Sequence, residues 1–467
     1  MFIGRARELE VLDKLYASNK FEFVVIYGRR RVGKTALINQ FINDKDAIYF
    51  MGIESNAKQN LENFSKSIIE YNTGIEAETA FISFQAALEH VFKISEKQRL
   101  ILAIDEYPYV ARSSKSLAST IQLLIDKYKD TSKLMLIVCG SSMSYMEDHV
   151  LAYKSPLYGR RTAQMKIMPF EFEETCRYFQ HFSDEDKALV YGIVGGTPQY
   201  LLQINDKLSI EENIKSTYLN PTSSFFEEPE NLLKQEVREP ALYNAIITAI
   251  ATGASRMSEI SSKVGEDTNV CSTYVKNLSE LGIIRKETPY GEKASRKSVY
   301  AIEDNMFRFW YRFVPENTSV IARGASDLAY KRIEPFLSDY MGKVFEEICK
   351  QYLWKLLISG RCPVEFSSLG RWWGNDPVEK SQAEIDIIGE QDKNTAIFGE
   401  CKWTNEKVDL GVLETLINRS NLFSYSKVQF YLFAKSGFTK GCIDKAKEMG
   451  NVSLVTYKDI LALCDEA

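Results

Sequence analysis

The residues best suited to chemistry lie near the amino end. Gly28-x-x-x-x-Gly33-Lys34-Thr35 has the spacing of a phosphate-binding loop. Its glycines permit backbone geometry closed to other residues, so successive N–H groups can turn inward around an anion. Lys34 is then placed to reach the β- and γ-phosphates of a bound nucleoside triphosphate, and the Thr35 hydroxyl to ligate Mg2+. A second set follows in "RLILAIDEYPYV", residues 99–110, where an apolar run ends in Asp105 and Glu106. Asp105 suits the water shell of the Mg2+, and Glu106 suits polarisation of an attacking water. Capping of the next helix is the alternative for either acid. "KLMLIVCGSS", residues 133–142, ends in Ser141 and Ser142. Either serine can sense the γ-phosphate from a neighbouring strand tip, or simply cap a helix. Arg160 and Arg161 follow Gly159 at a turn, as an arginine finger or as a solvated pair. The loop arginines Arg29, Arg30 and Arg31 are expected to project outward.

A second constellation lies near the other end. "AIFGECKWT", residues 396–404, carries Glu400 and Lys402, and strand alternation puts both on one face. "QAEIDIIGE", residues 382–390, reads as an antiparallel neighbour that brings Asp386 beside them. The amphipathic helix "YMGKVFEEICKQYLWKLL", residues 340–357, can bring Glu346 to the same place. Two carboxylates within about 4–6 Å repel, which raises a pKa or demands a cation. Mg2+ prefers oxygen ligands and can activate water against a phosphodiester. Lys402 can steer that water and steady the developing charge. Glu-x-Lys alone is a weak signal, since Glu185-Asp186-Lys187 repeats it in what reads as an exposed helix. The rival reading is an inactive fold whose charges only bind nucleic acid or cap strands.

The elements needed to hold these groups are visible. Phe23–Tyr27 has the composition of a buried parallel strand, and Ala36, Leu37, Ile38 and Phe41 follow the loop at helical spacing. "GIVGGTPQYLLQI", residues 192–204, predicts a helix end, a turn and a new helix from Pro198, as a lid over the nucleotide or an ordinary helical corner. From Ala241 to Ile302 three short helices and a hairpin predict a winged helix-turn-helix. Its basic residues are Lys276, Arg285, Lys286, Lys293, Arg296 and Lys297, interleaved with Glu280, Glu287 and Glu292. DNA binding and a protein-contact or spacer role both remain open for it. Phe307, Trp310, Tyr311 and Val314 recur at helical spacing, as core residues do.

Taken in order, "FIGRARELEVL", "YGRRRVGKTALI", "LILAIDEYPYV", "VCGSS", "LYGRRT" and "GGTPQYL" resemble the prokaryotic ATPases of the AAA+/STAND branch that carry a restriction-endonuclease-like C-terminal domain. The resemblance implies ATP and Mg2+ as cofactors and nucleotide-driven switching. It also implies a helical lid with its "GGxP" corner at Pro198, and a place for Arg160 and Arg161 in a "GRR" turn. Glu346…Asp386…Glu400-x-Lys402 resembles the PD-(D/E)XK nuclease core, although Ile385 stands where that family often has proline. The expected architecture is an α/β P-loop NTPase with a parallel sheet in residues 1–165 and a helical lid in 166–235. A winged helix-turn-helix in 236–315 and an α/β nuclease-like domain in 316–467 follow. The site assignments are Gly28, Gly33, Lys34, Thr35, Asp105 and Ser141 for ATP, and Glu106, Arg160 and Arg161 for its hydrolysis. Asp386, Glu400 and Lys402 are assigned to the second reaction. Thr35, Asp105, Glu346, Asp386 and Glu400 are the expected metal ligands.

Composition narrows the class further. The 467 residues exceed what one core holds, so two or three domains are expected. A net charge of −5 supplies no global field for nucleic acid, so a DNA contact needs a local patch. No apolar run is long enough for a bilayer and no secretory signal is visible, so no membrane partner is expected. Eight scattered cysteines without a CxxC pair, and three histidines, argue against zinc and fit the cytoplasm. An assembly into rings requires Arg160 or Arg161 to act across a homo-oligomer, whereas a monomeric switch does not. The sequence leaves two principal readings. One is an ATPase controlling a DNA-binding, Mg2+-dependent nuclease-like domain. The other is a nucleotide-gated scaffold whose C-terminal domain binds DNA or protein without cutting. A transcription regulator built on the winged helix would need a more basic third helix than this one.

Overall fold

Continuous apolar runs make the central strands of the first sheet. β1 (Glu22–Tyr27), β3 (Leu100–Asp105) and β4 (Leu134–Gly140) are buried along their whole length, as strands covered on both faces are. β2 (Ala47–Met51) and β5 (Ala163–Lys166) flank them with alternating burial. The order is β2-β3-β4-β1-β5, with every pairing parallel. One strand, β4, therefore lies between the phosphate-loop strand and the strand that ends in Asp105. The computed structural model describes residues 2–74, 79–292, 297–377 and 379–465.

Two compact units emerge. The first is Met1–Phe170 with Thr197–Gln199, and the second is Glu171–Gly196 with Tyr200–Ala467. The expected winged region and C-terminal domain fall in the second unit with most of the expected lid, whose residues 166–170 and 197–199 fall in the first. Helices Pro240–Ala251, Met257–Val264 and Thr268–Glu280 precede a hairpin of β6 (Ile284–Glu287) and β7 (Val299–Ile302), paired antiparallel. Helix Asn305–Ile321 buries Phe307, Trp310, Tyr311 and Val314, and Phe309 packs on Tyr218 with ring centroids 4.7 Å apart. These aromatics are core.

The second sheet has the order β12-β11-β10-β9-β8. β8 (Gly370–Asp376), β9 (Ser381–Glu390) and β10 (Thr395–Lys402) run antiparallel, and β11 (Lys427–Ala434) and β12 (Val452–Thr456) add in parallel. The turn between β9 and β10 is fixed by Asp392, whose Oδ1 accepts from the amides of Asn394 at 2.7 Å and Thr395 at 2.8 Å. Helices Leu410–Ser420 and Lys440–Met449 make the parallel crossovers. Helix Leu337–Ile358 buries Met341, Val344, Phe345 and Ile348, and Phe345 meets Trp403 with ring centroids 5.1 Å apart. All eight cysteines are free thiols. Among the described residues, no helix is long and apolar enough to cross a membrane.

Candidate functional site

The loop that follows β1 folds tightly against the strand end of β5. A Cβ placed on Gly28 would lie 2.4 Å from the Ile167 carbonyl oxygen, so only glycine fits there. Gly33 sits at φ 89°, in the left-handed region that glycine enters without strain, and opens the helix Lys34–Ile42. Helix N-terminal amides beside a glycine-rich turn suit an anion. Lys34 is buried, and its Nζ donates to the carbonyls of Gly28 and Arg29, both at 2.9 Å. The ammonium therefore lies inside the loop.

β3 delivers its acids to the same place. Asp105 Oδ2 accepts from Thr35 Oγ1 at 2.6 Å and from Tyr49 OH at 3.0 Å, while Oδ1 accepts from the Glu106 amide at 2.9 Å. A threonine hydroxyl and a carboxylate held together beside a phosphate cradle form an oxygen donor set suited to Mg2+. Burial, then the Asp105 charge, pushes the Tyr49 hydroxyl well above its ordinary pKa, so it remains a donor. Glu106 occupies the N-cap position of helix Tyr107–Ser113 but makes no side-chain cap bond, and its φ of 49° is unusual for a non-glycine residue. Its carboxylate instead accepts from Ser141 Oγ, which lies 2.8 Å from Oε1 and 2.9 Å from Oε2. Ser142 faces elsewhere and accepts from Arg112 Nη2 at 3.2 Å. Gly28, Gly33, Lys34, Thr35, Asp105, Glu106 and Ser141 are thus brought together.

Arg160 and Arg161 are not brought to that place. Arg160 binds Asp126 through two hydrogen bonds, Nε to Oδ1 at 2.9 Å and Nη2 to Oδ2 at 2.7 Å. Arg161 lies over the Tyr158 ring, 5.5 Å from its centroid. The expectation for the loop arginines needs correction. Arg29 is buried and donates to Thr197 Oγ1 at 2.7 Å, and Arg30 donates to Tyr109 OH at 2.9 Å. Arg31 accepts at its carbonyl from the Gln199 amide at 3.4 Å, and Pro198 Cγ would be 3.5 Å from a Cβ on Gly33. Residues 197–199 therefore clasp the loop, and nothing in the local pattern of three consecutive arginines announces which one turns inward. Sequence reasoning also passed over Tyr49, which sits mid-run in "AIYFM", and Arg5. Arg5 donates from Nη2 to Val32 O at 2.9 Å and Met168 O at 2.6 Å.

The second sheet assembles the other expected group. The β9–β10 register ends at the pair Gly399–Ile387, and Glu400 and Asp386 are the next residues on their strands. Asp386 Oδ2 accepts from the Cys401 amide at 2.9 Å. Glu346, Asp386 and Glu400 are only 7%, 8% and 6% exposed, so three carboxylates share a nearly dry space. Burial, then the Asp386 charge, raises Glu346 to a pKa of about 7 and lifts Glu400 in the same direction. Glu400 Oε1 accepts from Lys402 Nζ at 2.7 Å, whereas its buried Oε2 has no hydrogen-bond partner, with Arg419 Nη1 4.0 Å away. Burial opposes the charge on Lys402, yet the carboxylates Glu400 and Asp386 hold its pKa above the ordinary range. Lys343 Nζ donates to Glu346 Oε1 at 2.8 Å.

No group of three or more His, Cys, Asp or Glu side chains among the described residues is arranged as a ready metal cage. Two of the expected ligands instead face lysines, which neutralise the like charges that would otherwise repel. The orphaned Glu400 Oε2 and the crowding of three acids nonetheless match the needs of a hard divalent cation.

Among the described residues of the winged region, three of the expected basic side chains are paired with acids. Lys276 pairs with Glu280 at 3.6 Å, Lys297 with Glu292 at 2.9 Å, and Arg285 with both Glu287 at 2.7 Å and Glu347 at 2.8 Å. Lys286 is exposed, while Lys293 and Arg296 lie outside the described residues. The exposed face of helix Thr268–Glu280 is made of Thr268, Asn269, Val270, Ser272, Thr273 and Lys276, which is nearly neutral.

Fold and loop together define a P-loop ATPase. Residues 2–204 match the family described as an ATPase domain predominantly from Archaea, and residues 310–412 match one described as archaeal and bacterial proteins of unknown function. The chain is 33% identical over 412 residues to the uncharacterized protein MJECL04 of Methanocaldococcus jannaschii, covering 87% of this chain and 88% of that protein. It belongs to the same family of archaeal-type ATPases. A shorter match, 49% identical over 45 residues, covers 10% of this chain and 76% of the uncharacterized ATP-binding protein MJ0423 of the same organism. Among solved structures, the Walker-type ATPase PABY2304 of Pyrococcus abyssi has the same fold. It aligns with a TM-score of 0.52 and 19% identity over 67% of this chain and 96% of its own. Glu346, Asp386, Glu400 and Lys402 all fall within the segment matched to the family of unknown function.

Proposed function

We propose that this ATPase uses nucleotide occupancy of its loop to control a divalent-metal site for phosphodiester chemistry on DNA in its second unit. At the loop, the Gly28–Gly33 backbone and Lys34 bind the phosphates, and Thr35 and Asp105 would hold Mg2+, which would supply charge neutralisation there. Glu106 takes the proton of the attacking water, and Ser141 fixes the orientation of that carboxylate. Neither Arg160 nor Arg161 touches its own loop, so a finger role for either belongs to a homo-oligomer in which it serves a neighbouring copy.

Coupling is supported by the path of the chain. Thr197–Gln199 belongs to the first unit, while the residues on both sides, through Gly196 and from Tyr200, belong to the second. The segment that clasps the loop is therefore continuous at both ends with the second unit. A loop that shifts as it closes on phosphate pulls directly on those flanks.

The observation that carries the nuclease-like reading is the joint burial of Asp386 and Glu400, each the next residue after the last β9–β10 pair, with Lys402 Nζ 2.7 Å from Glu400. Glu346, Asp386 and Glu400 would hold the divalent ion, whose chemistry there is to activate water. Lys402 would steady charge on the scissile phosphate. A helix, three antiparallel strands, a crossover helix and a parallel strand frame the group, and the helix, strand, strand context supports the reading.

Supercoiled plasmid incubated with the full chain and Mg2+ or Mn2+, with and without ATP, tests it. Nicking that needs the metal, responds to ATP and disappears in both Asp386→Ala and Lys402→Ala is expected. Nicking retained in both variants removes the site. A second reading, a nucleotide-gated module that binds DNA without cutting, is favoured by the Lys402–Glu400 and Lys343–Glu346 pairs. Its signature is ATP-dependent plasmid retention with no nicking in any metal.

A further inference from the structure

The hairpin of the winged region is tied to the acid cluster by an unbroken chain of opposite charges. Glu287, on β6, accepts from Arg371 of β8, with Nη1 3.3 Å from Oε2. Arg371 Nε donates to Glu384 Oε1 of β9 at 2.5 Å. Glu384 Oε1 also receives Lys343 Nζ at 3.3 Å, and Lys343 reaches Glu346 Oε1 at 2.8 Å. The hairpin is docked at a second point, where the Tyr290 amide donates to Arg371 O at 2.9 Å and the Glu390 amide donates to Tyr290 OH at 3.0 Å.

This matters because Glu346 comes from a helix, whereas Asp386 and Glu400 come from adjacent strands. Strand pairing fixes the last two relative to each other. The place of Glu346 depends instead on how helix Leu337–Ile358 is held, by the packing of Phe345 on Trp403 and by the ties of its polar side chains. Lys343, one turn earlier on that helix, is tied to Glu384, and Glu384 lies two residues before Asp386 on the same face of β9. Isolated exposed ion pairs contribute little, but here Glu287 and Glu346 are only 14% and 10% exposed at the side chain. Lys343 and Glu384 between them are 49% and 39% exposed and Glu287 also keeps Arg285 at 2.7 Å, so losing one member loosens the geometry of the chain rather than stranding a buried charge.

We propose that Glu287 of the hairpin is a positioning residue for the acid cluster, setting the place of Glu346 through Arg371, Glu384 and Lys343. The statement rests on the reading of the cluster as a divalent-metal site. It assigns the hairpin to the second site, as a support that a ligand can displace, and accounts for the pairing of Arg285 and Glu287 with Glu347 and Arg371.

Calorimetric titration of the nucleotide-free full chain with Mn2+ tests it. Outer-shell partners typically change metal affinity by about 10- to 100-fold, so Glu287→Gln is expected to weaken Mn2+ by about tenfold. Asp386→Ala should abolish binding, and Glu287→Asp, which keeps the charge, should restore most of the affinity. Wild-type affinity in Glu287→Gln overturns the proposal. Equal Mn2+ heats in wild type and Asp386→Ala would sink the metal reading instead. The positioning claim is then decided by melting temperatures of Glu287→Gln, Lys343→Met and the double variant, since no ion pair joins those two residues directly. A double-variant shift well short of the sum supports transmission along the chain, and strict additivity overturns it.

Discussion

Ser141 donates its hydroxyl to Glu106, with Oγ 2.8 Å from Oε1 and 2.9 Å from Oε2. A hydroxyl has one proton, so it serves one oxygen at a time and leaves the other open toward water. The bond also explains how Glu106 keeps one direction despite a backbone φ of 49°. Glu106→Gln is expected to retain ATP binding while phosphate release falls by about 10²- to 10⁴-fold, the range for loss of a general base. Ser141→Ala should lower kcat about tenfold with KM unchanged, because orientation rather than binding is lost. Steady-state phosphate release measures both, and a rise in KM with constant kcat would contradict the assignment.

Tyr49 and Thr35 share one oxygen of Asp105, at 3.0 Å and 2.6 Å. Tyr49→Phe removes a hydrogen bond to a charged acceptor, which costs about 1.5–3 kcal/mol. The urea midpoint of the nucleotide-free chain should fall accordingly. Thr35 remains beside Asp105, so ATP–Mg2+ should still raise the melting temperature of the variant. Loss of that rise would make Tyr49 a binding residue rather than a support.

Gly28 and Gly33 should differ sharply on substitution. A Cβ at Gly28 would meet backbone at 2.4 Å, whereas one at Gly33 would make an ordinary 3.5 Å contact with Pro198 and suffer only from φ 89°. Overpacking against backbone costs about 1–3 kcal/mol and must also reshape the loop. Gly28→Ala should therefore lose ATP binding and melt lower than Gly33→Ala, as calorimetry and thermal denaturation would show. The reverse order would mean that β5 yields more readily than the register suggests.

Local spacing made the first site legible. Strand, loop and helix are contiguous from Phe23 to Phe41, and short-range chemistry settles that arrangement. The acid on β3 and the serine just past β4 were readable because apolar runs ending in polar residues announce strand tips. Alternation and strand adjacency likewise made the nearness of Asp386 to Glu400 readable. Contacts formed across the fold were not readable. Arg29 turns inward because Thr197, distant in sequence, receives it. Arg160 is held by Asp126 of helix Leu117–Tyr128, which no turn pattern reveals. The winged region was readable only in part, since its interleaved acids were visible in the sequence but not that Glu347 of another helix joins Arg285.

Glu346 supplies a pH test with a definite sign. Its folded-state pKa is raised from the ordinary 4.5 to about 7 by burial and by the charge of Asp386. Between those values the native state binds more protons than the unfolded chain, so stability from this group falls as pH rises through the window. The penalty is complete above the folded pKa. The metal-free chain should therefore lose stability between about pH 5 and about pH 8, and Glu346→Gln should flatten that slope. At the upper end the variant should approach or exceed wild type by an amount on the order of 1–3 kcal/mol, less whatever the Lys343 pair contributed. A divalent ion competes with the proton, so Mn2+ should restore wild-type stability most at high pH and should do least for the variant. Urea midpoints at both pH values, in EDTA and in Mn2+, measure all four quantities. Parallel pH profiles for wild type and Glu346→Gln would mean that the helix carboxyl titrates in water, away from Asp386, and that the cluster holds two acids rather than three.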